Sequence, residues 1–251
     1  MISGLVACAT PIAFAGFSLL AAGAFAQTNL QVFYDFGKDR KYVTTTLEMF
    51  KADNWGSTFF FVDYDYTTKD LRDAGFYGAT GSYFEIARAL NFWQDSNLGA
   101  LSAHVEFNAG VGFGTQNWLF GLEYFMHNAD FSNTLTLEVL YKTFNRPSMS
   151  DTPIQFTAVW GMNNLLGIEG LKFSGFADLW GENTDYWYGQ DDHFAEAGKW
   201  IFISEPQLWY NIGSLFNCPN FNVGGEVELG YNFAGVKGFT CNPCLGVKWD
   251  F

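Results

Sequence analysis

The chain has 251 residues and a formal net charge of −13, with aromatic residues making up 20% of it and charged residues 16%. This acidic balance argues against nucleic acid as a partner, because the phosphates would be repelled. A mean hydropathy of zero in so aromatic a chain means that apolar and polar residues are finely interleaved. Such interleaving is typical of membrane barrels that face lipid outside and water inside.

Residues 1–26 are interpreted as an export signal. An uncharged apolar run leads to Ala24-Phe25-Ala26, an A-x-A cleavage pattern directly before Gln27. A single transmembrane helix over this stretch is the alternative, but no stop-transfer charges follow it. No later segment approaches the ~20 consecutive apolar residues that a spanning helix needs. A membrane-bound chain must therefore be a barrel.

Beyond residue 26, twelve segments alternate between apolar and polar residues with the period of two that marks strands. They are predicted at 29–37, 42–51, 57–67, 82–93, 101–109, 117–126, 134–144, 153–162, 170–181, 200–212, 221–233 and 239–251. Short alternating strands in even number predict an all-β fold, a closed antiparallel transmembrane β-barrel, as a single domain over 27–251. The longest connections, 68–81 and 182–199, are expected outside the cell.

The last segment, Phe239–Phe251, has the most informative pattern. Its apolar parity ends in Trp249 and Phe251, and alternating aromatics before a terminal Phe resemble the assembly signal of bacterial outer-membrane barrels. The sequence therefore predicts a location in the outer membrane, surrounded by its lipid. This strand is expected to close the barrel by pairing with Gln31–Phe36 and Phe221–Phe233, and its Lys248 to pair with a neighbouring carboxylate.

The fourth segment contains a charge on the wrong parity, because Arg88 falls in the row of Phe84, Ile86 and Leu90. A charged side chain near the bilayer midplane costs on the order of 2–4 kcal/mol on a barrel's lipid face. We expect either a bulge near Ala87 that turns Arg88 into the lumen, or a position close to the membrane interface.

The parity opposite to the lipid face predicts an acidic lumen with aromatic side chains. Its acids are Asp35, Glu48, Asp63, Asp65, Glu85, Glu106, Glu123, Glu138, Asp178, Glu205, Glu226 and Glu228, and its bases are Arg88, Lys142, Lys172 and Lys248. Its aromatics are Phe33, Phe50, Phe59, Phe61, Phe125, Phe176, Trp180 and Trp209. A nucleobase can stack on such rings, ribose hydroxyls can donate to carboxylates, and an acid excess favours uncharged nucleosides over nucleotides. The alternative is that these side chains fill and brace the interior.

The histidines and cysteines predict no catalytic residue, metal site or cofactor. His104, His127 and His193 are far apart in sequence, and Cys241 and Cys244 would point to opposite faces of one strand. Cys218, Cys241 and Cys244 are interpreted as structural, and His104 as a packed or solvated lumen residue. A lipid hydrolase would need His and Ser on the lipid face, which the parity of His104 disfavours.

Three short motifs resemble the nucleoside-specific channel-forming (Tsx) family, in a Bacteroidetes-type branch. They are Thr46–Phe50 with Asp53-Asn54-Trp55, Tyr83–Arg88 and Trp200–Pro206, with a departure from the family pattern at Ala87. The resemblance implies a monomeric twelve-stranded barrel whose narrow channel passes nucleosides by successive weak sites. It implies substrate-binding roles for Phe33, Glu48, Phe50, Phe59, Phe61, Asp63, Glu85, Arg88 and Glu205, to which the alternation adds Trp209.

The leading hypothesis is thus a passive, non-enzymatic outer-membrane channel for nucleosides or similar small polar solutes. A structural or adhesive barrel with a blocked lumen is the second, with the Asp-, Tyr- and Trp-rich loop 182–199 as its working part. An outer-membrane lipid hydrolase is the third.

Overall fold

The computed structural model describes residues 26–38, 40–111, 115–145, 149–185 and 197–251. The predicted export signal therefore lies outside the described residues, apart from residue 26. The strands are β1 (Gln27–Asp35), β2 (Val43–Asp53), β3 (Gly56–Tyr66), β4 (Ala79–Leu90), β5 (Leu101–Val111), β6 (Thr115–His127), β7 (Asn133–Lys142), β8 (Ile154–Asn163), β9 (Leu171–Asp185), β10 (Ala197–Ser204), β11 (Gln207–Asn211), β12 (Phe221–Tyr231) and β13 (Phe239–Asp250).

Short helical turns occupy some of the connections. The helix α1 (Lys69–Asp73) lies between β3 and β4, and 3₁₀ turns lie at Leu165–Gly167, Gly213–Phe216 and Phe233–Gly235. Thr68 caps α1, because its hydroxyl accepts a hydrogen bond from the backbone N–H of Leu71. No helix in the described residues is long and apolar enough to cross a membrane.

The strands form one closed antiparallel barrel. Each strand pairs with its sequence neighbours, except that β10 and β11 each pair with β9 and β12. Strand β13 pairs with both β12 and β1, so the described strands leave no open edge. Strands β10 and β11 are two halves of one spanning strand, since both lie between β9 and β12. The predicted twelve-stranded barrel is confirmed.

The interruption between β10 and β11 lies at Glu205-Pro206, inside the predicted strand 200–212. Proline has no backbone N–H to give to a ladder. The partner strand is adapted to the break, because a Cβ on Gly175 would lie 2.5 Å from the backbone oxygen of Glu205. Only glycine therefore lets β9 approach this closely.

Burial alternates along the strands as the period-two pattern predicts. In β7, Leu137 and Val139 are 46% and 56% exposed, whereas Thr136 and Glu138 between them are 2% and 5% exposed. Soluble proteins rarely expose contiguous apolar surfaces of this extent. The outward side chains therefore face lipid, and a closed barrel with this exterior places the protein in the outer membrane.

The closing strand is where the sequence placed it. Residues Cys244–Asp250 pair with Asn29–Asp35, and the whole of β12 pairs with Phe239–Trp249 on the other side. As predicted, Cys241 and Cys244 lie on opposite faces of the strand, with Cys241 exposed and Cys244 buried, and neither forms a disulfide among the described residues.

Some predicted boundaries and orientations are wrong. Strands β9 and β10 run into the predicted loop 182–199, where Asp185 pairs with Ala197; residues 186–196 of that loop lie outside the described residues. The predicted segment 82–93 is shifted, since β4 begins at Ala79 and ends at Leu90. The period-two parity of the predicted strand 221–233 places Phe233 towards lipid, but the left-handed backbone of Asn232 (φ 55°) ends β12 and turns Phe233 inward onto Trp180.

The predicted bulge near Ala87 is also wrong. Arg88 pairs in regular register with Thr58 and Val105, so it keeps the outward parity of Ile86. Its guanidinium donates two hydrogen bonds to Asp53, at 2.7 and 2.8 Å, and one to Thr58 at 2.9 Å. Because Asp53 is the last residue of β2, the ion pair lies at the rim of the strands, which corresponds to the alternative expectation of an interfacial position.

Candidate functional site in the barrel interior

The structure places the predicted site residues inside the barrel, with the exception of Arg88. The inward set is Phe33, Glu48, Phe50, Phe59, Phe61, Asp63, Glu85, Glu205 and Trp209. Glu85 lies on the inward parity of β4, where its carboxylate accepts a hydrogen bond from the Tyr83 hydroxyl at 3.3 Å. The predicted role of these residues in binding a solute remains a prediction.

One aromatic cluster crosses the interior. Phe50, Phe59 and Phe61 pack with side chains of β8, β9 and β10, namely Val159, Phe176, Trp180, Ile201 and Ile203. In a ring of twelve strands, β3 and β9 lie on opposite walls. Side chains from the two walls therefore meet here, and the cluster forms an apolar constriction of the interior. The ring centroids of Phe59 and Phe61 are 5.9 Å apart.

A second, smaller aromatic group lies between β1 and β11. The rings of Phe33 and Trp209 are 5.5 Å apart at their centroids, and Cys244 packs with them. The predicted carboxylate partner of Lys248 is not found among the described residues. Its Nζ instead lies 4.6 Å from the centre of the Trp209 ring, where the ring's π-face attracts the cation.

Most of the buried carboxylates near β1–β3 accept hydrogen bonds from neighbouring side chains. The Thr46 hydroxyl donates to Asp63 at 2.5 Å, and Asn29 donates to Glu48 at 2.9 Å. Glu205 differs from them. Its side chain is fully buried, yet neither of its carboxylate oxygens accepts a hydrogen bond from the described residues.

Arg40 is an interior residue that sequence reasoning missed. Its guanidinium donates two hydrogen bonds to Glu228, at 2.6 and 2.8 Å, and one to Asp35 at 3.4 Å. The sequence pattern assigned Arg40 to the turn after the first strand. The alternation of a strand cannot show that a side chain reaches inward from a turn. The available signal was the pair of inward acids, Asp35 on β1 and Glu228 on β12, which needed a nearby cation.

A second constellation that the spacing did not predict surrounds His104. Its Nδ1 lies 2.8 Å from Oε2 of Glu123 and 3.8 Å from Oε2 of Glu138, and its Nε2 lies 3.5 Å from Oε2 of Glu106. The signal was present in the inward parity of β5, β6 and β7, but the register of the three strands was needed to bring the groups together. Because His104 faces inward, it lies away from the lipid face that a hydrolase site would need.

One family model and several solved structures are similar to this chain. A family model described as "Domain of unknown function (DUF5020)" matches residues 26–251. A comparison with the curated proteins found no match. Among solved structures, the NanC porin is similar at 10% identity and a TM-score of 0.53, over 89% of this chain and all 100% of that one.

Two further structures are similar at lower scores. The KdgM porin has 10% identity and a TM-score of 0.48, over 90% of this chain and 99% of that chain. An outer membrane channel from Pseudomonas putida F1 has 9% identity and a TM-score of 0.47, over 96% of this chain and 100% of that chain. The likeness to the NanC porin shows that the chain shares the porin barrel fold.

Proposed function

We propose that this chain, which belongs to the DUF5020 family, is a passive outer-membrane channel for small polar solutes and that it favours uncharged nucleosides. A lipid-facing exterior and a polar, acidic interior support passage of polar solutes across the bilayer. The observation that carries the nucleoside preference is the Glu205 carboxylate, which is fully buried without a hydrogen-bond donor among the described residues.

A buried carboxylate of this kind is incomplete without a donor. Leaving a buried charged acceptor unsatisfied costs more than leaving a neutral one, roughly 1–3 kcal/mol or above. The two adjacent hydroxyls of a ribose match it, because each can donate one hydrogen bond to one carboxylate oxygen. Glu205 thus supplies a sugar-binding position in the interior.

Aromatic side chains next to Glu205 supply the complementary position for a base. The Glu205 backbone N–H donates to the carbonyl of Phe176 at 3.2 Å, and the Phe176 ring belongs to the aromatic cluster. Stacking on such rings contributes about 1–3 kcal/mol per base. The surrounding acids repel phosphate, which favours nucleosides over nucleotides. The resemblance to the Tsx family supports the same substrate class.

The proposal is tested by uptake into liposomes that contain the purified protein. Adenosine should enter faster than a neutral sugar of similar size, and faster than 2′,3′-dideoxyadenosine, which lacks the vicinal hydroxyls. Glu205→Gln should abolish the preference for adenosine over the dideoxy analogue. Phe59→Ala with Phe61→Ala should reduce the preference for nucleosides over sugars, whereas the lipid-facing control Phe156→Ala should not. Equal uptake rates for all small solutes would contradict the nucleoside preference and indicate a general pore.

A barrel with a blocked lumen is the second candidate, and one observation favours it. Interior side chains such as Asp63, Glu205 and Gln207 are 0% exposed, and the aromatic cluster joins opposite walls. Planar-bilayer recording separates the candidates: unit currents that nucleosides reduce support the channel. Absence of current, together with absence of nucleoside uptake, supports the blocked barrel.

A further inference from the structure

We propose that His104, Glu123 and Glu138 form a binding site for a divalent transition-metal ion of the zinc class, in the interior wall made by β5, β6 and β7. One nitrogen and two carboxylate oxygens from these residues all lie within 4.8 Å of one another. His104 and Glu138 are buried, and Glu123 is half-buried. This inference is independent of the channel proposal.

The register of the strands places like charges together. Glu123 on β6 is the direct cross-strand partner of Glu138 on β7, and like charges at directly opposed positions destabilise a sheet. Glu106 lies beside them, and Thr157, the β8 partner of Glu138, donates at 2.5 Å to a further acid, Asp178.

Among the described residues, the cations near this cluster do not offset the charges of Glu123 and Glu138. His104 can carry at most one positive charge. Lys142 is directed elsewhere, since its Nζ donates to Gln155 at 3.1 Å and lies 4.0 Å from the centre of the Trp180 ring. A divalent cation between Glu123 and Glu138 would offset their repulsion.

The donor set indicates which cation fits. Imidazole nitrogen together with carboxylate oxygen suits Zn²⁺ and its first-row neighbours, whereas Ca²⁺ and Mg²⁺ prefer oxygen ligands alone. His104 presents Nδ1 to both carboxylates, at 2.8 and 3.8 Å. Three protein ligands leave a fourth position of a tetrahedral zinc ion open to water or a solute.

The opposite side of the imidazole provides a second, independent observation. His104 is 4% exposed, and its Nε2 has no hydrogen-bond partner among the described residues, yet it lies 3.5 Å from the Glu106 carboxylate. Metal-binding histidines regularly direct their second nitrogen at a carboxylate, which fixes the ring and raises its basicity. Asn108 donates to Glu106 at 2.9 Å and holds that carboxylate in place. With a cation on Nδ1, the proton would reside on Nε2 and face Glu106.

Titration calorimetry with ZnCl₂ tests the site on chelator-treated, detergent-solubilised protein that carries no polyhistidine tag. One equivalent of Zn²⁺ should bind per chain. His104→Gln, Glu123→Gln and Glu138→Gln should each weaken binding at least about tenfold. Glu226→Gln is the matched control, because it neutralises a buried carboxylate on β12 without altering zinc binding. Far-UV circular dichroism checks that each variant is folded.

Cobalt substitution distinguishes coordination by His104 from a general attraction of cations to the acidic interior. Co²⁺ in the site should show the visible absorption bands of a low-coordinate ion with a nitrogen ligand, and His104→Gln should remove them. Zinc binding that all three variants leave unchanged would overturn the proposal, as would equal affinity for Ca²⁺ and Mg²⁺. Because the readout is metal binding, failure of nucleoside uptake would not affect it.

Discussion

The interior of the barrel contains two kinds of buried carboxylate. Around β12, β13 and β1–β3, Glu228 is held by Arg40 and Asn242, and Asp63 by Thr46. Glu205, by contrast, lacks a described donor, and Glu123 and Glu138 lie opposite each other. Buried polar groups are normally satisfied in stable folds. We infer that the carboxylates with donors stabilise the barrel, whereas Glu205, Glu123 and Glu138 bind a ligand that is not part of the chain.

Removal of the cation in the satisfied group should have the largest effect. Arg40→Met leaves Glu228 and Asp35 buried without their charge partner, and breaking a buried ion pair costs about 3–5 kcal/mol. We expect a loss of that order in the free energy of unfolding, measured by urea denaturation in detergent micelles. Arg72→Gln on the surface helix α1 is the control and should change stability little. If Arg40→Met lowered the free energy of unfolding no more than the control does, the ion pair of Arg40 would not be a stabilising element of the barrel.

Glu205→Gln should act in the opposite direction. It removes a buried carboxylate that lacks a described donor and lies among the acids Glu226 and Glu228, so we expect the free energy of unfolding to rise by about 1 kcal/mol. The same denaturation experiment measures it, with Asp63→Asn as the matched comparison. Asp63→Asn should destabilise the barrel, because it weakens the accepted hydrogen bond from Thr46. Destabilisation by both variants to the same extent would place Glu205 among the structural carboxylates.

The smallest effect is expected at the rim. The Arg88–Asp53 ion pair is partly exposed, with 27% and 36% of the two side chains accessible, and exposed pairs contribute about 0.2–1 kcal/mol. Arg88→Gln should therefore reduce the free energy of unfolding by less than about 1 kcal/mol, and high salt should diminish the difference. Urea denaturation at two ionic strengths measures both. An effect as large as that of Arg40→Met would show that the pair is buried in the membrane.

The sequence predicts the parts of this structure that depend on parity. The inward positions of Phe59, Phe61 and Glu205 and the closing strand at 239–251 follow from a period of two, because each residue then has only two possible faces. Pairing along the sequence also follows, since antiparallel neighbours joined by short connections are the rule in such barrels.

Other features were mispredicted or missed for identifiable reasons. The bulge predicted to turn Arg88 inward does not form, because Arg88 keeps its outward parity and pairs at the rim with Asp53, the last residue of β2. Phe233 follows a left-handed residue that reverses the parity. The break at Pro206 needed a glycine on the facing strand, and the grouping around His104 needed the register of three strands. Apart from the local reversal at Asn232, each of these depends on a contact between segments that a period within one segment cannot encode.

The aromatic cluster has a mechanical consequence for the whole barrel. A cylinder of hydrogen-bonded strands resists stretching around its circumference but can be squeezed into an oval with little change in its ladder. Phe59 and Phe61 belong to one packed cluster with Phe176 of the opposite wall, so this cluster acts as an internal strut across the diameter. The cross-sectional shape of the barrel is thus set from within, and any solute that parts these rings must also deform the wall.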